Sequence, residues 1–276
     1  MKKDEIKLEY CPNTGMRYRK GAILGEVCPY CGETMEDHYN SIGPKPKGNG
    51  DWVGYEDMEK GGELQLNTNF LQLGILVLDG SESMTYEAKK GGISKGEAVN
   101  KSVREFFKRM QISTNKNSYR MAIVNFDVRA IRALNITEVT ALNTNCDYNP
   151  TKGLCGQTRF YVGLQEAEAI AEEFLSKEDK GGPKRSVVIV IMTDGLDMAE
   201  KETSEYLARL KSKPYYNNNK IKITACYFEA KTSTKQELDY CKGYLEKFVK
   251  NPNECITVAS AEELRRFFEA SVVIKC

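Results

Sequence analysis

Residues 70–83 read Phe-Leu-Gln-Leu-Gly-Ile-Leu-Val-Leu-Asp-Gly-Ser-Glu-Ser. The apolar run up to Leu78 is short and dense, as in a strand buried on both faces. Asp79, Ser81 and Ser83 follow at alternate positions. A loop turning away from the strand can aim one carboxylate and two hydroxyls at a single point. Such hard oxygen donors suit Mg²⁺, Mn²⁺ or Ca²⁺ rather than zinc. Two later segments, Gly156-Gln157-Thr158 and Met192-Thr193-Asp194-Gly195, offer further oxygens.

The pattern around this stretch is regular. Phe70–Leu78 is expected to be a strand. The spacing of Val99, Val103, Phe106 and Met110 predicts a helix over 94–110, with Ser94 and Glu97 as a capping box. Strands are expected at 119–126 and 130–134, close enough to form a hairpin-like pair, and at 186–192, 220–228 and 255–258. Helices are expected at 161–176, 201–211, 235–249 and 261–272. Strands alternating with helices imply an α/β fold: a doubly wound, mostly parallel sheet with helices on both faces. In such sheets ligands bind outside the carboxyl ends of the strands, where the strand order reverses. Asp79 and Asp194 both follow strands directly and belong on that rim. Thr158 precedes a helix and can turn its hydroxyl inward. Asp127 and Asp197 also lie near strand ends and read as solvated loop residues. Lys95, Lys101, Arg104, Lys108 and Arg109 share one helix with Glu97 and Glu105, the pattern of a solvated face. Tyr215–Asn219 reads as a polar loop.

Asp79-x-Ser81-x-Ser83, Thr158 within Gly156-x-Thr158-x-x-x-x-Gly163-Leu164, and Thr193-Asp194-Gly195 together resemble the metal-ion-dependent adhesion site of von Willebrand factor A (VWA) domains. The resemblance spans about residues 67–274 and extends to the order of the motifs and their strand–helix context. It implies a Mg²⁺-type ion held by Asp79, Ser81, Ser83, Thr158 and Asp194, with one open position for a Glu or Asp of a protein partner. Intracellular bacterial relatives associated with tellurite resistance, stress response and phage defence work beside kinases, phosphatases or AAA-type ATPases. The resemblance therefore implies an adaptor rather than an enzyme. Arg159 departs from the pattern, since a smaller polar residue often follows the threonine in the family. Its cation can help receive an anionic partner or crowd the metal.

The N-terminal segment is of another kind. Cys28-Pro29-Tyr30-Cys31-Gly32 has the form of a zinc knuckle, and Cys11-Pro12-Asn13-Thr14-Gly15 is its near twin with Thr14 in place of the second cysteine. With His38, the chain's sole histidine, these residues compose a candidate Cys₃His zinc site. An eroded ribbon without metal is the competing reading. Residues 1–40 are thus a zinc-ribbon-like module, 41–66 a Gly- and Pro-punctuated linker containing Trp52, and 67–276 the VWA-like domain.

Composition excludes several functions. The 276 residues are 41% hydrophobic and 29% charged with a formal net charge of +1, so no broad basic field draws in nucleic acid. The apolar runs are too short to span a bilayer. The charged opening, Met1–Glu5, and the absence of a following apolar core predict a cytoplasmic protein. In that compartment the nine cysteines are not a disulfide framework, although Cys146 and Cys155 could pair under oxidising conditions. Two alternatives compete with the interaction module. One is a metal-dependent phosphotransferase or hydrolase of the haloacid dehalogenase type, but Ser81 stands where its second Asp belongs. The other is nucleic-acid binding through the ribbon.

Overall fold

The computed structural model describes residues 70–178 and 181–272. All belong to one compact unit, Gln65–Cys276. The ribbon-like module, the linker and the candidate zinc ligands Cys11, Cys28, Cys31 and His38 lie outside the described residues.

Six strands form one sheet: β1 Phe70–Asp79, β2 Tyr119–Phe126, β3 Ala130–Glu138, β4 Lys184–Thr193, β5 Ile221–Phe228 and β6 Cys255–Val258. The helices are α1 Lys95–Ile112, α2 Phe160–Leu175, α3 Glu200–Ser212, α4 Pro214–Asn217, α5 Lys235–Leu245 and α6 Ala261–Val272. Strand order is β3-β2-β1-β4-β5-β6. Only the β2–β3 pair is antiparallel; every other pairing is parallel. This is the doubly wound α/β architecture expected from the sequence.

Side-chain alternation explains the two layers. Leu73, Ile75 and Val77 of β1 join a core with Phe160, Leu164, Ala167 and Phe174 of α2, together with residues of α3 and α5. Leu76 and Leu78 face the opposite way, into a core built from Val99, Val103 and Phe106 of α1 and Leu264 and Phe268 of α6. The chain leaves β1 by way of α1 to reach β2 on one side. It later returns through α2 to β4 on the other side. β1 and β4 are therefore the switch point, and the crevice at their carboxyl ends is where such sheets hold ligands.

Most element boundaries fall within two residues of expectation. β3 runs four residues further than its pattern suggested, to Glu138, with irregular register against β2. α5 is shorter than expected, ending at Leu245. The expected polar loop at 215–219 contains α4, and Tyr216 is buried there. Ser94 caps α1 by accepting the Glu97 N–H at 3.2 Å. The Glu97 carboxylate receives the Asn100 side-chain amide, so the box is half closed. Cys146 and Cys155 are free thiols and exposed, and Cys226 is a buried strand residue as expected. Among the described residues no helix is long and apolar enough to cross a membrane.

Gly163 lets α2 approach the sheet closely. A Cβ there would stand 2.9 Å from the Phe126 ring and 3.1 Å from Val77 Cγ1. Gly163→Val is expected to lower stability by about 1–3 kcal/mol through overpacking, read as a shift of the urea midpoint. An unchanged midpoint would show that the approach is not tight.

Candidate metal-binding site at the sheet switch point

Asp79 ends β1 with its side chain fully buried. One carboxylate oxygen, Oδ1, accepts the Ser81 N–H at 2.8 Å. The other, Oδ2, accepts the Thr193 hydroxyl at 2.6 Å and the Thr158 hydroxyl at 3.2 Å. The Ser81 and Ser83 hydroxyls are 3.1 Å apart. Ser83 donates to Asp194 Oδ1 at 2.8 Å. The residues expected to share one site, Asp79, Ser81, Ser83, Thr158 and Asp194, are thus linked through hydrogen bonds across three loops. A Cβ on Gly195 would lie 3.4 Å from Thr158 Oγ1 and 3.5 Å from Ser83 Oγ, so these two hydroxyls converge beside that glycine.

Backbone contacts hold the loops in place. The Gly80 N–H donates to Phe126 O at 2.7 Å, and a Cβ at Gly80 would sit 2.4 Å from Pro150 O, so only glycine fits. The Glu82 N–H donates to Gly156 O at 3.2 Å, tying the β1 loop to the Thr158 loop. The Met198 N–H donates to Thr158 O at 2.9 Å, tying that loop to the one after β4.

Asp127 and Asp197 are buried rather than solvated. Asp127 accepts the N–H groups of Arg129 at 2.9 Å, Cys155 at 3.2 Å and Gly156 at 3.0 Å, which fixes the approach to Thr158. Asp197 accepts from Ala199 N–H at 3.0 Å and Phe160 N–H at 3.4 Å, and takes the Tyr244 hydroxyl at 2.7 Å. It serves the otherwise orphaned amide at the start of α2 from a different loop. Besides the local turns to Arg129 and Ala199, the partners lie 28 to 47 residues away and leave no local trace.

Lys95 is buried as well. The sequence placed it on a solvated face, yet only 1% of it is exposed. Its ammonium forms a buried ion pair with Asp194 Oδ2. Arg159 is half-buried at the entry to α2, and its N–H donates to Asp127 O at 3.2 Å. Tyr86, Val128, Leu196 and Met198 are exposed apolar side chains on the loops around the site.

Two buried carboxylates so close together disfavour full ionisation. Burial first, then the Asp194 charge, pushes the Asp79 carboxyl up to about 7, against the hydrogen bonds from Thr193 and Ser81. Among the described residues no three His, Cys, Asp or Glu side chains gather as a metal cluster. The donor set is two carboxylates with neutral hydroxyls, which fits a hard, oxygen-loving cation and fits zinc poorly.

No family model matches the sequence, and no curated protein matches it. Solved structures do share the fold. The pilus adhesin SpaC from Lactobacillus rhamnosus GG superposes with a TM-score of 0.52 at 11% identity, covering 74% of this chain and 30% of the adhesin. The D319A mutant of the PilB minor pilin from Streptococcus sanguinis gives 0.51 at 14% identity, covering 73% of this chain and 60% of the pilin. The vWF domain of the type V pili tip protein Mfa5 from Porphyromonas gingivalis gives 0.49 at 13% identity, covering 73% of this chain and 93% of that domain. This chain therefore spans less than two thirds of the adhesin and of the pilin. At 11–14% identity the adhesin and the pilin show a shared α/β fold.

A pH dependence follows for metal-free protein. The unfolded Asp79 carboxyl titrates near 3.9, whereas the folded one titrates at about 7. The folded state holds this proton more tightly, so the stabilising contribution is complete below pH ~4 and disappears as pH rises through about 7. Asp79→Asn is expected to flatten that part of the stability–pH curve in EDTA. Equal slopes for wild type and variant between those limits would contradict the assignment.

Proposed function

We propose that residues 67–274 form a divalent-metal-dependent interaction domain that captures an acidic side chain of a protein partner. The observation that carries this reading is the connected set of two carboxylates and four hydroxyls, from Asp79, Ser81, Ser83, Thr158, Thr193 and Asp194, at the switch point of the sheet. Ser81, Ser83 and Thr158 would hold Mg²⁺, Mn²⁺ or Ca²⁺ through their hydroxyls, and Asp79 and Asp194 through their carboxylates or a water. A cation held so sparingly by charge keeps the electrophilic character needed to attract a further carboxylate. Deprotonation of Asp79 accompanies its binding, since the ligand must be the carboxylate.

The surroundings support capture of a protein. The exposed apolar side chains Tyr86, Leu196 and Met198 on the same loops, with Val128 of the β2–β3 turn beside Gly156, provide a nonpolar border for a carboxylate-bearing segment. Half-buried Arg159 adds a cation on the α2 side. The pilus adhesin and minor pilin that share the fold are in keeping with attachment rather than catalysis. The phosphotransferase alternative requires a proton-handling group two residues after Asp79. Ser81 stands there, and its backbone N–H serves the Asp79 carboxylate. In the setting that the resemblance implies, the partner is a kinase, a phosphatase or an AAA-type ATPase of a stress or phage-defence system.

Titration calorimetry with Mg²⁺ and Mn²⁺ tests this directly. Wild-type protein is expected to bind about one equivalent. Asp79→Asn is expected to abolish binding, and Thr158→Ala to weaken it by at least about tenfold, or ~1.4 kcal/mol. Equal binding by all three proteins would sink the site. Any partner retained on the immobilised chain should elute in EDTA.

A further inference from the structure

Lys95 is absent from the oxygen-donor pattern that the sequence resembles, yet its side chain is as deeply buried as the donors themselves. The start of α1 delivers it rigidly. The Lys95 N–H donates to Tyr86 O at 2.9 Å, and Ser94 caps the same turn. At Gly96 a Cβ would lie 2.5 Å from Asn149 Oδ1, so this end of the helix is wedged against the 147–151 loop. The ammonium reaches Asp194 on the oxygen that Ser83 leaves free, with the Tyr86 ring 6.0 Å away.

A buried ammonium is costly to desolvate, and hydrophobic replacements of buried ion pairs are often at least as stable. The pair needs an explanation beyond stability. Its charge supplies one. With both carboxyls ionised, as cation binding requires, two carboxylates and one ammonium sum to a single net negative charge. A divalent cation turns this into a single net positive charge, whereas without Lys95 the loaded site would be neutral. At short range in a shielded pocket, one unit of charge outweighs most other contacts.

Resting on the metal reading above, we propose that Lys95 is a built-in counter-cation that sets the affinities of the site. In metal-free protein it keeps Asp194 paired and the three loops assembled. In loaded protein it loosens the hold on the metal and tightens the hold on an incoming carboxylate. The centre is thereby tuned to bind a cation and an acid group together rather than a cation alone.

The test uses the full chain and its Lys95→Gln variant. Mg²⁺ affinity is measured by calorimetry, and carboxylate binding by the broadening of the acetate methyl signal per bound Mn²⁺. The variant is expected to bind Mg²⁺ about tenfold more tightly, ~1.4 kcal/mol, and acetate several-fold more weakly. Its melting temperature in EDTA should fall, and about 10 mM Mg²⁺ should raise it by more than in wild type. A variant that folds only with Mg²⁺ would support the proposal in the strongest form. Mg²⁺ affinity within about twofold of wild type, undiminished acetate binding, or a variant that stays unfolded in Mg²⁺ would each overturn it. Failure of the wild type itself to bind Mg²⁺ or Mn²⁺ would instead remove the metal reading on which it rests.

Discussion

Two carboxylates, Asp79 and Asp194, are buried together at the place where the strand order reverses, and the rest of the site compensates for their loss of water and for the charge each feels from the other. Such groups are tolerated inside a protein only when hydrogen bonds, a counter-charge or a metal takes the place of water. The chain supplies the first two. Thr193, Thr158 and the Ser81 N–H serve Asp79, while Ser83 and the Lys95 ammonium serve Asp194. What is still unbalanced shows in the Asp79 carboxyl, which is pushed up to about 7. A divalent cation would relieve that imbalance, and the donors are of the kind it prefers.

The fold makes this arrangement possible by bringing three loops to one rim. Parallel neighbours β1 and β4 end side by side, so Asp79 and Asp194 meet although 115 residues separate them. α2 starts beneath the same rim and carries Thr158 in its approach. Asp127 and Asp197 brace that approach from two sides by accepting N–H groups around Gly156 and Phe160. These buried carboxylates act on backbone geometry, and the site depends on them without their touching its centre. Exposed Tyr86, Leu196 and Met198 lie on the loops that follow β1 and β4.

Much of this was legible in the sequence because it is written in short-range pattern. The apolar run before Asp79, the fully apolar stretch at 187–192 and the helical spacing of Val99, Val103 and Phe106 each report a local period. That Asp79, Ser81, Ser83, Thr158 and Asp194 come together was legible because they follow strands or precede a helix. Lys95 was not, because a lysine behind a capping serine looks the same whether its side chain meets water or a carboxylate 99 residues on. The burial of Asp127 and Asp197 was not legible for the same reason: nothing near them in sequence announces the distant amides of Cys155, Gly156 and Phe160 or the Tyr244 hydroxyl. Tyr216 in α4 was misread because its polar neighbours masked one buried face. Long-range pairing decides these positions, and hydropathy does not encode it.

The most direct measurement is the anomalous difference map of a crystal soaked in Mn²⁺. A single peak within bonding reach of the Ser81, Ser83 and Thr158 hydroxyls, with the Lys95 ammonium still on Asp194, is the expected result. A map without a peak among these residues, or with manganese bound only elsewhere on the chain, would contradict the account.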